Sequence, residues 1–266
     1  MVGLSTMDIL LSFFLFILGS WPMPKKSYLW AAGNMASCDA AAFIGILGYV
    51  GSPLYNCSLA SFYSLRLKYN WTDHRIKRIE KWLLFGPCVI SALFCIIALC
   101  TKTFGPSNGR CGLAFIGYPF FCNRPGSEVQ CIRGGKAIAK ILTLSMISFP
   151  LLSIIYVSIT MFRVFRKVRD IEVNAMRYSF IALHRGYDKK KTTKISRRVM
   201  IQGILYSVAM ILTWIFNVAN IIIFFASSQT AENSRVIRYF AIIFNPLQGM
   251  FNFLIYLMPS ARKIMK

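Results

Sequence analysis

Several stretches of about 20 residues run through this chain with almost no charged side chain. A water-soluble fold rarely carries such runs, whereas the hydrocarbon core of a bilayer requires them, because it offers no water to a charge. Of the 266 residues, 56% are hydrophobic and only 15% are charged, against about 25% charged residues in an ordinary soluble domain. The sequence therefore predicts an all-α fold, a single polytopic bundle of transmembrane helices.

Six apolar spans are predicted from these runs, joined by a cysteine-rich outer loop (102–137) and a basic inner loop (163–198). The first span is marginal in length, and Asp8 within it argues against a secretory signal. We expect a membrane helix whose beginning, and whatever precedes it, lies outside this chain. The spans cover residues 4–22, 36–66, 82–101, 138–162, 199–226 and 239–258.

The distribution of basic residues predicts the orientation. Most of the 31 lysines and arginines fall on one side of the membrane if both ends of the chain lie in the cytoplasm. The net charge of +22 then indicates anionic inner-leaflet lipid as a partner and a multi-pass protein, which we expect in the plasma membrane. Nucleic acid is not expected, because the basic residues are confined to segments between apolar runs.

Four cysteines fall on the predicted outer side: Cys38, Cys111, Cys122 and Cys131. Disulfides form in oxidising compartments, so we expect two bridges there. Of the three possible pairings we favour Cys38 with Cys111, which ties the outer loop to the second span, and Cys122 with Cys131, which closes a small loop. Four free thiols are the alternative.

Polar side chains within the spans are expected to face the bundle interior, because they have no partner in lipid. Asp8 is the one acidic residue well inside a span, and it is predicted to be a polar switch or a cation site. Solvation near the membrane face is the alternative. Asn245, Gln248 and Asn252 in the last span are predicted to bond between helices, either as structural contacts or as part of a switch.

Prolines and one tryptophan add to this pattern. Proline removes a backbone hydrogen bond, so a kink is predicted wherever one interrupts a span. Trp214 is predicted to pack in the core rather than to contact a ligand. The prolines within spans are Pro53, Pro87, Pro150 and Pro246.

The segment from Asn245 to Tyr256 reads Asn-Pro-Leu-Gln-Gly-Met-Phe-Asn-Phe-Leu-Ile-Tyr, and Pro259 and a basic tail follow it. This segment resembles the last helix of the cAMP-receptor-like branch of the seven-transmembrane G-protein-coupled receptors, a branch related to the secretin-type receptors. The seven-residue step from Gly249 to Tyr256 matches the family's pattern. The resemblance adds Tyr256 to the predicted switch residues.

Further marks follow in the family's order. The resemblance covers nearly the whole chain, from the family's second helix to just past its seventh, and the first helix is missing. The Asp/Glu-Arg-Tyr motif is also absent, because no acidic residue precedes Arg66, so an ionic latch of the usual kind is not expected. The matching positions are Asp8 for the second helix, Cys38 and Pro53–Asn56 for the third with Cys111 as its partner, Trp82 and Pro87 for the fourth, Pro150 for the fifth and Trp214 for the sixth.

The resemblance implies a receptor that senses an unknown extracellular ligand and signals to a heterotrimeric G protein. A six-helix transporter or channel is the alternative, but the sequence has no internal repeat, no paired broken helices and no evident filter. An enzyme is not expected, and neither a catalytic residue nor a metal or cofactor site is predicted, because no catalytic motif occurs. The candidate contacts with the G protein are Arg66, Lys68, Arg166, Lys194 and Arg197.

Overall fold

The structure is a computed structural model and describes residues 2–25, 27–69, 71–107, 109–115, 117–119, 122, 130–135, 137–181, 189–226 and 235–264. These residues are mostly helical and include one antiparallel β-hairpin. Helices α1 and α2 each end in a five-residue π-helical segment, Phe14–Leu18 and Ser64–Lys68. The elements are α1 (Val2–Phe13), α2 (Met35–Tyr63), α3 (Asp73–Cys100), β1 (Phe104–Ser107), β2 (Arg110–Leu113), α4 (Ala137–Ile181), α5 (Lys189–Ala226) and α6 (Arg235–Ile264).

Four helical stretches are long and apolar enough to cross a membrane: Met35–Lys68, Asp73–Cys100, Ala137–Ile171 and Ile201–Ala219. Gly3–Phe13 and Tyr239–Ile255 are shorter apolar helices, so four of the six predicted spans reach spanning length among the described residues. The first predicted span is shortened because the helix gives way to a turn at Gly19, whose φ of +48° favours glycine. The last predicted span lies within α6, a helix of 30 residues that runs from Arg235 to Ile264.

The inner ends of α4 and α5 differ from the predicted basic loop over 163–198. Helix α4 continues to Ile181 and α5 already begins at Lys189, so most of that range is helical. Along α4 the side chains of Val164 and Val168 are buried whereas their charged neighbours are exposed. The basic residues therefore mark where the helix leaves the apolar layer, and the helix itself ends later.

Helix α2 lies at the centre of the bundle and contacts α1, α3, α4 and α5. Helix α5 packs on α6, and α6 returns to α1, so α1, α2, α5 and α6 form a closed ring of contacts. Many apolar side chains on the outer faces of α3 and α4 are exposed, for example those of Leu93 and Ile141. Such exposure suits helices surrounded by lipid.

The contact between α1 and α2 depends on three glycines spaced three residues apart, Gly45, Gly48 and Gly51. A Cβ atom at Gly48 would lie 2.8 Å from the backbone nitrogen of Leu11 and 2.9 Å from the carbonyl oxygen of Met7. Small residues let two membrane helices approach backbone to backbone. The glycines thus bring the middle of α1 directly against the middle of α2.

The start of α2, which is predicted to face outward, is fixed by a helix cap and a disulfide. Asn34 and Ser37 form a capping box in which each side chain accepts a hydrogen bond of 2.8 Å from the other's backbone N–H. The Cys38–Cys111 disulfide then joins α2 to the hairpin, and a second disulfide joins Cys122 to Cys131. These are the two pairings that the sequence analysis favours.

An ion pair reinforces this outer layer. The Arg133 guanidinium donates to the Asp39 carboxylate at 2.5 Å and to the carbonyl oxygen of Phe104 at 3.4 Å. Both charged side chains are mostly buried. The pair therefore links the segment before α4 with both α2 and β1.

Each proline at which a kink is predicted lies inside a helix that continues on both sides of it. Pro53, Pro87 and Pro150 lie within α2, α3 and α4, and residue 246 lies within α6 although its side chain is outside the described part. Near Pro87 the hydroxyl of Tyr55 donates to the carbonyl oxygen of Leu84 at 2.7 Å. The carbonyl that Pro87 leaves without its usual donor is that of Leu83, one residue earlier, so the Tyr55 bond links α2 to the same turn of α3 without replacing the lost bond.

We predict that Gly48→Ala destabilises the protein, because the added methyl group meets backbone atoms of α1 that cannot rotate away. The expected cost is about 1–3 kcal/mol, measured as a lower Tm of the helical circular dichroism in detergent. Gly86→Ala is the matched control, since no atom lies within 4 Å of its Cβ position. An equal effect of the two substitutions would contradict this account of the α1–α2 contact.

Candidate functional site

The Asp8 carboxyl group lies in the middle of the bundle, with a relative exposure of 3%. Its two oxygens accept hydrogen bonds from different helices: the Ser52 hydroxyl of α2 donates to Oδ1 at 2.6 Å, and the Asn252 amide of α6 donates to Oδ2 at 2.8 Å. A buried carboxyl group without such donors would be very costly. Both oxygens therefore have donors within the bundle, and the role of Asp8 as a polar switch or a cation site stays a prediction.

Gln248 extends this network from α6 to α5. Its Nε2 donates to the Ser52 hydroxyl at 2.9 Å, and its Oε1 accepts from Trp214 Nε1 and, at 3.4 Å, from the Thr213 hydroxyl. All of these side chains are buried. The polar network, defined by Asp8, Ser52, Gln248, Asn252, Thr213 and Trp214, therefore connects α1, α2, α5 and α6.

Glycine at position 249 allows α6 to approach Asp8. A Cβ atom there would lie 3.2 Å from the Cβ of Asp8, tighter than an ordinary van der Waals contact. Short side chains such as those of aspartate and asparagine can bond directly only when their helices lie this close. In α6, Gln248 thus supplies a hydrogen-bonding side chain, and Gly249 leaves room for the side chain of Asp8.

Trp214 has two roles in the site. Its fully buried ring packs edge to face against Tyr49, with 4.8 Å between ring centroids, which confirms the prediction of core packing. Its indole N–H also donates to Gln248, which the sequence analysis did not foresee. Ser52 and Thr213 were not predicted either, because a hydroxyl can satisfy itself on its own helix and so carries little sequence signal.

Three amide atoms near the network are buried without a hydrogen-bond partner among the described residues: Asn252 Oδ1, Asn245 Oδ1 and Asn217 Nδ2. Asn245 faces inward, as predicted, yet its oxygen forms none of the expected bonds between helices. Unpaired polar atoms in a dry interior are costly. Two of them, on Asn245 and Asn252, belong to α6, the helix that also carries Gln248.

Other predicted residues fall outside this region. The side chains of Pro246, Tyr256, Lys194 and Arg197 lie outside the described part, although α5 and α6 include their backbone. Within the described residues, no cluster of His, Cys, Asp and Glu suited to a metal ion occurs. The side chains of the polar network interact by hydrogen bonds, because its single acidic group lies among hydroxyl, amide and indole groups.

Arg66, on the predicted inner side, is paired with an acidic residue of the next helix. The Arg66 guanidinium donates to the carboxylate of Asp73, the first residue of α3. The usual latch is not expected because no acid precedes Arg66 in the sequence, and the acid that pairs with it instead comes from the next helix. Lys68 donates to the Tyr69 hydroxyl at 3.1 Å, and Arg166 lies over the Phe162 ring at 5.4 Å from its centroid.

We predict different effects for two substitutions of Asp8. Asp8→Asn should change stability by less than about 1 kcal/mol, because Asn252 can turn its amide and offer its unpaired Oδ1 to the new donor. Asp8→Ala should cost about 1–3 kcal/mol, since the buried Ser52 and Asn252 donors lose their acceptor. Tm values in detergent test this, and equal losses for both variants would refute it.

Comparison with known proteins gives no match to a family model and none to the curated proteins. What the chain does must therefore be inferred from its own residues and contacts.

Proposed function

We propose that this chain is a G-protein-coupled receptor of the cAMP-receptor-like branch, which senses an extracellular ligand at the plasma membrane and signals to a heterotrimeric G protein. One observation supports the proposal most strongly. Asp8, Gln248, Gly249 and Asn252, through which the sequence resembles that family, lie together in one buried network across four helices. Gln248, Gly249 and Asn252 are neighbours on α6, so the informative contact is the one with Asp8, which is 244 residues away from Asn252 in the sequence.

Signalling requires two arrangements of the bundle that a ligand binds with different affinity. The polar network is suited to separate them, because Gln248 joins Trp214 of α5 to Ser52 of the central helix α2. A shift of α5 or α6 must exchange these bonds for others. The unpaired oxygens of Asn245 and Asn252 are available as the new acceptors.

The inner ends of the helices supply the surface for the G protein. Helices α4 and α5 continue beyond their apolar stretches; Arg166 lies on α4, and Lys194 and Arg197 belong to the sequence of α5. Arg66 lies beside them on the inner end of α2, where it is partly exposed. Anionic inner-leaflet lipid is a second partner for the same positive charge.

Basal nucleotide exchange tests the proposal without knowledge of the ligand. The chain is reconstituted in nanodiscs, and GTP uptake is measured for a panel of heterotrimeric G proteins. We expect the chain to accelerate nucleotide exchange on at least one heterotrimer. The double variant Arg66→Ala with Arg166→Ala should accelerate it less. Lys140→Ala, which removes a charge at the outer end of α4, should accelerate it as much as the unchanged chain does. Exchange that no heterotrimer accelerates, together with ion current or solute uptake in vesicles, would favour a channel or transporter.

A second prediction concerns the ion pair of Arg66 with Asp73. Both side chains are largely exposed, 45% and 74%, so the pair contributes at most about 1 kcal/mol to stability. Asp73→Asn should therefore leave Tm nearly unchanged and raise basal exchange, because it releases Arg66 for the G protein. Glu80→Gln on the same helix is the matched control, as Glu80 forms no ion pair within the described residues. Unchanged exchange in Asp73→Asn would rule out this role of the pair.

A further inference from the structure

A groove of about 320 Å³ opens on the side of the bundle, between α2, α3 and α4. Its lining is mostly apolar and includes Trp82, which is 78% exposed although it is the largest side chain there. Leu54 and Ile90 form part of the two facing walls. Ligand sites in proteins are typically concave and lined mostly by apolar and aromatic side chains, as this groove is.

The groove exists because α3 has no side chain at Gly86 and a proline follows at position 87. No atom lies within 4 Å of the position that a Cβ of Gly86 would take. The glycine is thus not required for a close contact between helices, unlike Gly48 of α2. It leaves open space on a helix face that looks outward.

A few hydroxyl groups line the groove. The Ser61 hydroxyl donates to the carbonyl oxygen of Cys57 at 2.8 Å and lies 2.8 Å from the hydroxyl of Tyr156, which links α2 to α4. Because the single Ser61 proton is used on Cys57, Tyr156 is the donor to Ser61. Ser58 also lines the groove and forms no hydrogen bond among the described residues. The groove is therefore apolar with sparse polar positions.

Positive charge lies at one end of the groove. On α3, Arg78 precedes Trp82 by four residues, one helical turn or about 6 Å. On α4, Arg163 follows Tyr156 by seven residues, two turns or about 10 Å on the same face. Helix α4 runs parallel to α2 and α3 runs antiparallel to it, so both arginines lie toward the same end, and neither forms an ion pair among the described residues.

We propose that this groove binds one anionic phospholipid of the inner leaflet, with an acyl chain along the apolar walls and the phosphate between Arg78 and Arg163. The proposal rests on the membrane orientation given above, in which these arginines face the cytoplasm. Charge complementarity identifies the occupant: basic pockets between membrane helices on the cytoplasmic side bind anionic headgroups. A free anion would leave the apolar walls uncovered, and a neutral lipid would leave both arginines unpaired.

Retention of lipid by the purified chain tests this site. Native mass spectrometry compares phosphatidylglycerol with phosphatidylcholine of the same acyl chains, added to the full chain in detergent. We expect preferential retention of phosphatidylglycerol, reduced about fivefold by Arg78→Ala or by Arg163→Ala, and reduced at least as much by Gly86→Leu, which fills the groove. Equal retention of the two lipids, or full retention by Gly86→Leu, would overturn the proposal.

Two matched controls separate the groove from general effects. Lys140→Ala removes a positive charge at the other end of α4, and Gly112→Leu adds the same side chain at another glycine whose Cβ position is open. Both should retain phosphatidylglycerol as the unchanged protein does. A loss in either control equal to that of the groove variants would show that the effect is not local, which would also overturn the proposal.

Trp82 provides a second measurement in case Gly86→Leu does not fold. Brominated acyl chains quench tryptophan fluorescence on contact, and the difference between the unchanged chain and Trp82→Phe isolates the Trp82 signal. We expect brominated phosphatidylglycerol to quench Trp82 more strongly than brominated phosphatidylcholine, and equal quenching would overturn the site. Neither measurement involves a G protein, so lipid binding and receptor coupling can fail independently.

Discussion

The organisation of this bundle depends on keeping one buried carboxyl group hydrogen-bonded. Asp8 is only 3% exposed, and a buried carboxyl group without hydrogen-bond donors costs several kcal/mol, a large share of the net stability of a protein. Its two donors come from Ser52 of α2 and Asn252 of α6. The relative heights of three helices are therefore fixed by two short hydrogen bonds, and Gln248 extends that constraint to Trp214 of α5.

Short side chains can meet only if the backbones that carry them are close, and glycine provides that closeness on both sides of Asp8. Gly48 brings α2 against the backbone of α1 at Leu11, and Gly249 does the same for α6 at Asp8 itself. The polar contacts thus depend on the glycines, because the glycines hold the helices close enough for short side chains to bond. A longer donor on a more distant helix would satisfy the carboxyl group too, but with side-chain entropy to lose and less control over helix position.

The sequence predicts those features that follow from the cost of a single residue in lipid. An acid or an amide in an apolar run must face inward, which identifies Asp8, Gln248 and Asn252 without any structure. Cysteines collected on one side likewise predict bridges. Features that depend on two distant elements are missed: the Arg66–Asp73 pair crosses a helix boundary, and the inner helix ends extend through charged sequence that hydropathy assigns to a loop.

The proposed receptor function requires a network that is stable in one arrangement yet able to adopt another. A fully satisfied network would hold a single state, because every alternative would first break a bond in a dry environment. Here Gln248 Oε1 accepts from Trp214, whereas Oδ1 of Asn252 accepts from none of the described residues. An arrangement in which Asn252 Oδ1 gains a donor would recover part of the free energy lost when a present bond breaks, which narrows the free-energy difference between the two states. A ligand then needs to contribute only that remaining difference in order to shift the population.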